Sequence, residues 1–463
     1  MATDRTPAPA GRIVIENAHI ATVDPHDTEH PSGHVVVAGH RIEAVGPGPA
    51  PEVPDAVRRI DASGHLLTPG LVNTHHHFYQ WLTRGLAQNA ILFDWLVELY
   101  PTWAKIDDEL CHAAAQGAAA ALLKSGCTTA ADHAYVFPRG AGDILGAEIA
   151  AVAELGMRFH PTRGSMDRSR KNGGLPPDNA VETTEAALAA TEEAIDRWHD
   201  PSFDSMLRIA AAPCSPFSVS TELMRECAAL ARRKGVRLHT HGSETLEEEK
   251  YCHELFKMGP TDYFESVGWL GDDVWMAHSV HMSDADIDKF AVTGTGVATC
   301  PSSNARLAAG VARVPDLLRA GVPVGLGVDG AASNESGELA TELRNLLLFN
   351  RVKWGADALT PRQALRVATI GGAQVLGREG EIGSIEPGKL ADLALWHTDG
   401  ILHAGITDKT AALVLGAVPP LTLLLVNGTA VVENGRLTRA DEETIARNTA
   451  AASTTLARRA GLT

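Results

Sequence analysis

Eight short apolar segments between residues 68 and 330 have the length of buried strands, and a helical stretch separates each from the next. In six cases the helical stretch ends in glycine, which commonly closes a helix because it adopts the left-handed conformation without steric cost. These six are "LLKSGCTTAADH", "AELGMRFHPTR", "ARRKGVRLHTH", "VGWLGDDVWMAHS", "FAVTGTGVATCP" and "LLRAGVPVGLGVD". The other two are the strand before His75 and "MLRIAAAPCSP". The alternation predicts an α/β fold, a parallel (β/α)8 TIM barrel, with a doubly wound sheet as the alternative.

The sequence on both sides of this repeat has a different pattern. Residues 1–67 contain short runs rich in β-branched residues between Gly, Asp and Pro, and "LLLVNGTAVVENGRL" returns to that pattern after the repeat. We therefore predict a small β-sandwich built from both chain termini, with residues 1–67 as its first part and 381–440 as its second. The barrel would occupy residues 68–380, and a C-terminal helix within 441–463 would close the sandwich.

Composition excludes several classes of protein. The chain has 40 basic and 57 acidic residues, a formal charge of −17, and no basic cluster, so we expect no nucleic acid partner. Its six cysteines form no C-x-x-C pair, which favours free thiols in a reducing compartment. The start "MATDRTPAPAGR" predicts no signal peptide, and "AALVLGAVPPLTLLLV" is too short to span a membrane. We expect a cytoplasmic protein that acts on a small molecule, with no membrane partner.

Two histidines at a spacing of two follow the first predicted strand, in "TPGLVNTHHHFYQ". Side chains two apart along a strand share a face, so His75 and His77 point together and His76 points away. Two imidazoles on one face can bind a metal ion, although a histidine-rich polar turn would have the same composition.

Metal-binding and acid–base side chains follow four of the predicted strands. The carboxyl ends of all eight strands of such a barrel meet at one mouth, where active sites lie. The intervals between these residues fit units of about 30 residues, with a loop insertion at 163–180. Each residue by itself would more often be a packed or capping residue, but their convergence predicts one site. In chain order the set is His75, His77, His241, Glu244, His278 and Asp329.

Three imidazoles and one carboxylate at a common mouth suit Zn²⁺ or another divalent ion, which would lower the pKa of a water molecule to about 7. The reaction then needs a base and an acid, for which Asp329 and Glu244 are the available carboxyl groups. His278 could bind the metal or orient the nucleophile, and we favour the second. His239 shares a face with His241 but lies deeper, so we predict that it packs behind the metal ligands.

The segments "PGLVNTHHHFYQ", "HTHGSE", "AHSVH" and "GLGVDGAASN" resemble the amidohydrolase superfamily, within it the cytosine-deaminase-like branch that includes 8-oxoguanine deaminases. The similarity extends from about residue 12 to 440. It implies one divalent ion, zinc before iron or cobalt, and proton handling by Glu244 and His278 with Asp329. Binuclear members have a bridging lysine at strand three or four, and "MRFHPTR" and "MLRIAAAPCSP" have none there. The ligands implied are His75, His77, His241 and Asp329.

The same resemblance implies hydrolytic deamination of a purine-like heterocycle such as 8-oxoguanine. The alternative is hydrolysis of a xenobiotic carbamate, thiocarbamate, phenylurea or s-triazine in the same type of site. Thr299 and Ser279 replace residues usual in purine deaminases, which leaves the substrate open. Triazine-dechlorinating relatives can lack the strand-eight aspartate, so the presence of Asp329 argues against that subgroup.

Four further residues are candidates for substrate contact, and aromatic rings near the first ligand pair could stack on a planar heterocycle. The candidates are Gln80, Trp81, Arg163 and Cys214. We also expect a homo-oligomer, because barrels with flanking sandwiches often associate.

Two other classes of function are weaker. "GLGVDG" matches the dinucleotide fingerprint G-x-G-x-x-G, but no Asp or Glu stands about 20 residues further on. "GSIEPGKL" lacks the final Ser or Thr of a P-loop. A non-enzymatic interaction protein on a barrel scaffold is the other alternative, and it would not hydrolyse any substrate.

Overall fold

The structure is a computed structural model that describes residues 11–462. Residues 1–10 and 463 lie outside this range. The expectation about a signal peptide concerns mainly those first residues, and the predicted first and last segments each include some of the residues that are not described. Within residues 11–462, no helix is both long and apolar enough to cross a membrane.

Five strands come first and belong to one sheet. β1 pairs antiparallel with β2 and parallel with β4 and β5, and β2 pairs with β3. The last of them leads directly into the barrel. Their bounds are β1 (Arg12–Ala21), β2 (Glu29–Ala38), β3 (Arg41–Pro47), β4 (Ala56–Asp61) and β5 (His65–Pro69).

The next eight strands form a closed parallel barrel, in which each pairs with the next and the last pairs with the first. Each predicted segment supplies one strand, so the (β/α)8 prediction is confirmed and the doubly wound alternative is wrong. The strands are β6 (Leu71–Asn73), β7 (Cys127–Ala134), β8 (Arg158–Ser165), β9 (Ala210–Pro213), β10 (Leu238–Gly242), β11 (Val274–His278), β12 (Gly296–Thr299) and β13 (Val324–Leu326).

Helices separate these strands and follow the last of them. Several end at the predicted glycines; Gly235, for example, adopts φ 69° after α5, and Ser220 caps the start of that helix by accepting the N–H of Leu223. The helices are α1 (Leu92–Trp103), α2 (Asp108–Lys124), α3 (Ile144–Leu155), α4 (Thr184–Trp198), α5 (Thr221–Lys234), α6 (Leu246–Phe256), α7 (Pro260–Ser266), α8 (Asp284–Thr293), α9 (Pro301–Arg306), α10 (Val314–Ala320), α11 (Leu339–Trp354), α12 (Pro361–Arg366) and α13 (Gly372–Val375).

The C-terminal part returns to the first sheet. β14 pairs antiparallel with both β5 and β15, which joins the two ends of the chain in nine strands. Side chains from both parts, such as Ile15, Val35 and Leu425, share one apolar cluster, so the sheet folds over itself as the predicted sandwich. The elements are β14 (Leu393–His397), α14 (Lys409–Leu415), β15 (Leu421–Val426), β16 (Thr429–Glu433), β17 (Arg436–Leu437) and α15 (Glu442–Ala460).

The C-terminal helix α15 packs mainly on the barrel, so the expectation that it closes the sandwich is wrong. Its strongest contacts are with α2. Ser453 Oγ donates to the carbonyl of Leu82 at 2.8 Å, and Thr449 Oγ1 donates to that of Ala113 at 3.3 Å. The reason is its apolar stripe of Ile445, Ala452 and Leu456, which is buried on this side.

A buried ion pair joins the barrel to the terminal sheet. The Arg158 guanidinium, on the first residue of β8, donates to both carboxylate oxygens of Asp392, at 3.1 and 3.0 Å. Both side chains are almost completely buried. This pair lies at the N-terminal end of the strands, away from the mouth where the predicted site residues stand.

Candidate metal centre and substrate cavity

The predicted metal ligands lie next to one another at the carboxyl ends of the strands. Asp329 Oδ1 lies 3.2 Å from Nε2 of His75 and 3.3 Å from Nε2 of His77. Nε2 of His77 lies 3.2 Å from Nε2 of His241. All four side chains are buried. Three histidine nitrogens and a carboxylate oxygen therefore face a common point.

Hydrogen bonds on the outer side of each ring determine which nitrogen faces that point. Nδ1 of His77 lies 2.8 Å from the carbonyl of His133, and Nδ1 of His241 lies 2.7 Å from that of Cys214. A carbonyl only accepts, so both Nδ1 atoms carry the proton and donate it. His75 Nδ1 donates to Nε2 of His239 at 2.8 Å, because the other nitrogen of His239 donates to the carbonyl of Trp275.

This assignment leaves unprotonated Nε2 atoms in close contact with other acceptors. Nε2 of His75 has no hydrogen-bond partner among residues 11–462, and a carboxylate oxygen of Asp329 faces it. Nε2 of His77 and Nε2 of His241 face each other in the same way. Lone pairs at these separations repel unless a cation lies between them. The donor set and its outer hydrogen bonds fit a divalent metal ion.

The protonation states also suit metal binding, which requires neutral imidazoles and an ionised carboxylate. Burial lowers the pKa of His77 and His75 and brings that of His241 to about 3. Burial alone would raise the pKa of Asp329, but its short contact with His75 and the other nearby histidines outweigh burial and hold that pKa well below its usual range.

Asp329 is fixed by its own hydrogen bonds. Ser303 Oγ donates to Oδ2 at 2.6 Å, and the N–H of Gly330 donates to Oδ1 at 2.7 Å. Asp329 has φ 64°, and His278 has φ 72°. Backbone conformations that are costly for residues other than glycine thus occur at two of the predicted catalytic residues, which is typical of functional sites.

Glu244 and His278 complete the predicted set beside these ligands. Nε2 of His278 lies 3.6 Å from Oε2 of Glu244 and 3.9 Å from Oδ2 of Asp329, and its Nδ1 bonds to Oδ1 of Asn304 at 2.9 Å. Burial raises the pKa of Glu244 to about 7. Burial alone would lower the pKa of His278, but the charges of Glu244 and Asp329 outweigh it and raise that pKa. Glu244 can therefore hold or release a proton at neutral pH.

A cavity opens beside these residues. Leu92, Trp95 and Phe217 give it an apolar side, so Trp95 is one ring placed where it could stack on a heterocycle. Two candidate substrate residues, Gln80 and Cys214, line it as well. The Gln80 side chain is buried, and within the described chain neither its amide oxygen nor its amide nitrogen has a hydrogen-bond partner.

Trp81 and Arg163 do not line this cavity, which corrects the expectation for both. Trp81 follows Gln80 on a 3-10 turn and points to the outside, where it packs on Gly117 of α2 and under the guanidinium of Arg84. Along β8, Arg163 alternates with residues that face into the barrel, so its own side chain lies on the outer side. There the Arg163 guanidinium donates to the carboxylate of Glu182 at 2.7 Å.

Several contributing residues were not among the predicted site residues. Asn304 and Ser303, which bond to His278 and Asp329, lie in the segment "CPSSN" directly after β12. Polar residues just after a barrel strand are the signal that could have found them. Tyr135, which directly follows β7, lines the cavity next to His77 and has the same signal. His239 packs behind His75, as predicted, and its hydrogen bond to that ring could not be read from the pattern.

The chain is similar to known proteins in both sequence and fold. Residues 66–431 match the profile of the Amidohydrolase family. An 8-oxoguanine deaminase of Pseudomonas aeruginosa is 46% identical over 92% of this chain and 95% of that protein. A hydroxydechloroatrazine ethylaminohydrolase of Pseudomonas sp. (strain ADP) is 36% identical over 84% of this chain and 83% of its own. The crystal structure of an atrazine chlorohydrolase from Arthrobacter aurescens, complexed with zinc, has a TM-score of 0.91 at 33% identity, covering 95% of this chain and 100% of that one.

Proposed function

Because this chain belongs to the amidohydrolase family, we propose that it removes ammonia by hydrolysis from a purine-like heterocycle such as 8-oxoguanine. The protein is a hydrolase that acts on carbon–nitrogen bonds. The observation that carries the proposal is a carboxyl group with a pKa of about 7, Glu244, at the wall of a cavity that His77, His241 and Asp329 also line. The similarity to an 8-oxoguanine deaminase over almost the whole chain supports this choice of substrate.

We assign one divalent ion, zinc, to His75, His77, His241 and Asp329. The opposed lone pairs of these residues support the assignment, as does the zinc in the related hydrolase structure. When bound, such an ion supplies Lewis acidity, which makes water a stronger acid and an electron-poor carbon easier to attack. The absence of lysine at the ends of strands three and four supports a single ion.

The proton transfers fall to three residues of the chain. Asp329 accepts the proton of the attacking water and later gives it to the leaving amino group. Glu244 protonates the ring nitrogen next to the attacked carbon, for which a pKa near the working pH is favourable. When the new carbonyl forms, Glu244 takes back the remaining hydroxyl proton and is restored. His278 lies between the two carboxyl groups and orients the water, with its ring fixed by Asn304.

Gln80 binds the heterocycle from the cavity wall, where its amide lies against Gly330. A purine lactam offers one N–H and one C=O side by side, and the free amide of Gln80 offers the complementary pair. A buried amide without partners is costly unless a ligand satisfies it. Cys214 lines the same cavity and supplies a weak donor.

A second candidate is hydrolysis of an N-alkyl s-triazine amine, carbamate, thiocarbamate or phenylurea. The apolar side of the cavity favours it, because Leu92, Leu96 and Leu307 could accept an alkyl group. The relative that acts on hydroxydechloroatrazine supports it too.

We also propose a cytoplasmic location and a homo-oligomer. All six cysteines are free and buried, which suits a reducing compartment. Cell fractionation and light scattering of the purified protein test these two points.

Ammonia release from a panel of heterocycles tests the function. The zinc-loaded protein should deaminate at least one oxidised or amino purine, with 8-oxoguanine and guanine as the first pair. Turnover of an N-alkyl urea or carbamate, without deamination of any purine in the panel, would replace the first candidate with the second. The Glu244→Gln variant is the control for contaminating activity.

A further inference from the structure

A buried carboxyl group on the outer side of the barrel holds the segment that follows the first metal ligands. Asp132 lies on β7 and is completely buried. Its neighbour His133 faces the histidine cluster inside the barrel, so Asp132 faces outward, towards the helices. Asp132 Oδ1 accepts the backbone N–H of Phe78 at 2.6 Å.

That hydrogen bond fixes a segment with two functions. Phe78 directly follows the ligand His77 and begins the 3-10 turn Phe78–Thr83, which carries Gln80. His77, which precedes the turn, makes no side-chain capping bond, so Asp132 supplies the acceptor for the first N–H of the turn. The next residue of β7 holds the same segment, because His133 donates its N–H to the carbonyl of His76.

A second buried carboxyl group lies behind Asp132. Glu148, on α3, accepts the thiol of Cys111 at 3.5 Å. Within residues 11–462, the remaining oxygens, Asp132 Oδ2 and Glu148 Oε2, have no hydrogen-bond partner. Burial and mutual repulsion raise the pKa of Asp132, and burial raises that of Glu148. The hydrogen bond from Phe78 needs only an oxygen acceptor, which Asp132 supplies whether its carboxyl group is ionised or protonated.

We propose that Asp132 is a positioning residue that sets the direction of His77 and of Gln80 together, and so couples metal binding to substrate binding. It touches neither the substrate nor the reacting atoms, and acts through the N–H of Phe78 alone. The claim that Asp132 positions Gln80 for substrate binding rests on the proposed function. The claim that Asp132 positions His77 for metal binding requires only that His77 is a metal ligand.

Two variants whose side chains branch at the same atom as that of Asp132 separate this role from simple packing. Asp132→Asn keeps an oxygen acceptor for Phe78, whereas Asp132→Leu fills the space without one and also relieves the repulsion with Glu148. We expect the Leu variant to bind zinc 10- to 100-fold more weakly in competition with a chromophoric chelator, the usual size of such outer-sphere effects. Its KM should rise about 10-fold, and the Asn variant should stay within about 3-fold of the wild type in both quantities.

Asp24→Ala is the matched control. Asp24 lies in the terminal sheet between β1 and β2 and accepts the backbone N–H of Thr28 at 2.8 Å, so it loses the same kind of bond far from the site. It should lower Tm without changing zinc affinity or KM. Equal zinc affinity and KM in Asp132→Leu and in the wild type would reject the proposal.

Hydrogen exchange, measured on the metal-free protein, tests the positioning role of Asp132 independently of the proposed function. Amides of residues 76–83 should exchange faster in Asp132→Leu and at the wild-type rate in Asp132→Asn. If the wild type bound no zinc or deaminated no purine, the proposed function would fail while this comparison still tested the positioning. Unchanged exchange in the Leu variant would overturn the positioning, whatever the activity. Should Asp132→Leu be insoluble, Asp132→Ser, whose shorter side chain cannot reach Phe78 equally well, replaces it with the same expectations.

Discussion

Nε2 of His77 lies 3.2 Å from Nε2 of His241, although 164 residues separate the two in the chain. Both rings donate the other nitrogen to a carbonyl, so the lone pairs of the two Nε2 atoms point at each other. This arrangement destabilises the metal-free protein, and it becomes favourable only when a cation binds between the two nitrogens.

Replacement of one ligand should abolish metal binding. His241→Ala removes a neutral imidazole from a set of four donors, so we expect less than about 0.1 zinc per chain and a loss of at least about a thousandfold in kcat/KM. Elemental analysis after dialysis measures the first quantity. His76→Asn is the control, because His76 lies in the same tripeptide but its ring packs against Phe78 instead. Full zinc content in His241→Ala would contradict the ligand assignment.

Glu244→Gln should separate catalysis from binding. The amide has the shape of the acid but transfers no proton, so kcat should fall by about 10² to 10⁴ while zinc content stays near one. Glu249→Gln, on the exposed side of α6, should behave like the wild type. An unchanged kcat in Glu244→Gln would remove Glu244 from the proton transfers.

Gln80→Met should weaken substrate binding without loss of stability. The wild-type amide is buried without partners, so a thioether of similar volume relieves a desolvation cost in the substrate-free protein. We expect a Tm equal to or above that of the wild type, and a fall of about 10- to 100-fold in kcat/KM that appears mainly in KM. Thermal unfolding and steady-state kinetics on one preparation decide between this and a structural role, which would lower Tm.

Glu148→Gln should change how stability depends on pH. Glu148 on α3 faces two buried groups, Asp132 on β7 and Cys111 on α2. Burial raises the pKa of Glu148 from 4.5 to about 8. As pH rises from about 4.5 to about 8, the unfolded chain releases this proton while the native protein keeps it, so the free energy of unfolding falls across that window. The Gln variant lacks this loss. Its Tm should match the wild type near pH 5 and exceed it by a few degrees at pH 8; equal Tm values at both would contradict the raised pKa.

The ion pair of Arg158 and Asp392 should matter for stability and not for the site. Arg158→Met leaves a buried carboxylate without its partner, which costs about 3 to 5 kcal/mol. Chemical denaturation measures that loss, and the double change of Arg158→Met with Asp392→Leu should recover much of it. Zinc affinity of the folded single variant should be unchanged, because the pair lies at the opposite end of the strands.

Local signals explain why the barrel could be predicted. Helix-ending glycines such as Gly235 and short apolar strands are encoded within a few residues, and the alternation rule correctly paired His75 with His77. The same rule, applied along β8, would have placed Arg163 outside. The alternation rule for strands cannot predict the directions of the Gln80 and Trp81 side chains, because both residues lie on a 3-10 turn. The first N–H of that turn is held by the hydrogen bond from Phe78 to Asp132, which is a long-range contact.

Long-range partners could not be predicted from any pattern. Nothing in the residues around Asp132 indicates that Glu148 packs behind it, since that contact depends on how α3 lies on β7. The direction of α15 is a similar case: an apolar stripe on a helix shows that one side is covered and does not show by what.

The pairing of β5 with β14 has a consequence for the nascent chain. Pro69 stands opposite Leu393 in that ladder, so roughly 320 residues must be translated before β5 acquires this neighbour. At about 5 to 20 residues per second, the ribosome needs about 15 to 65 seconds for that stretch. Throughout this interval β5 keeps an unpaired edge, the kind of surface on which polypeptides aggregate, so stalled or truncated products that end before β14 should be the main substrates for chaperones and proteases.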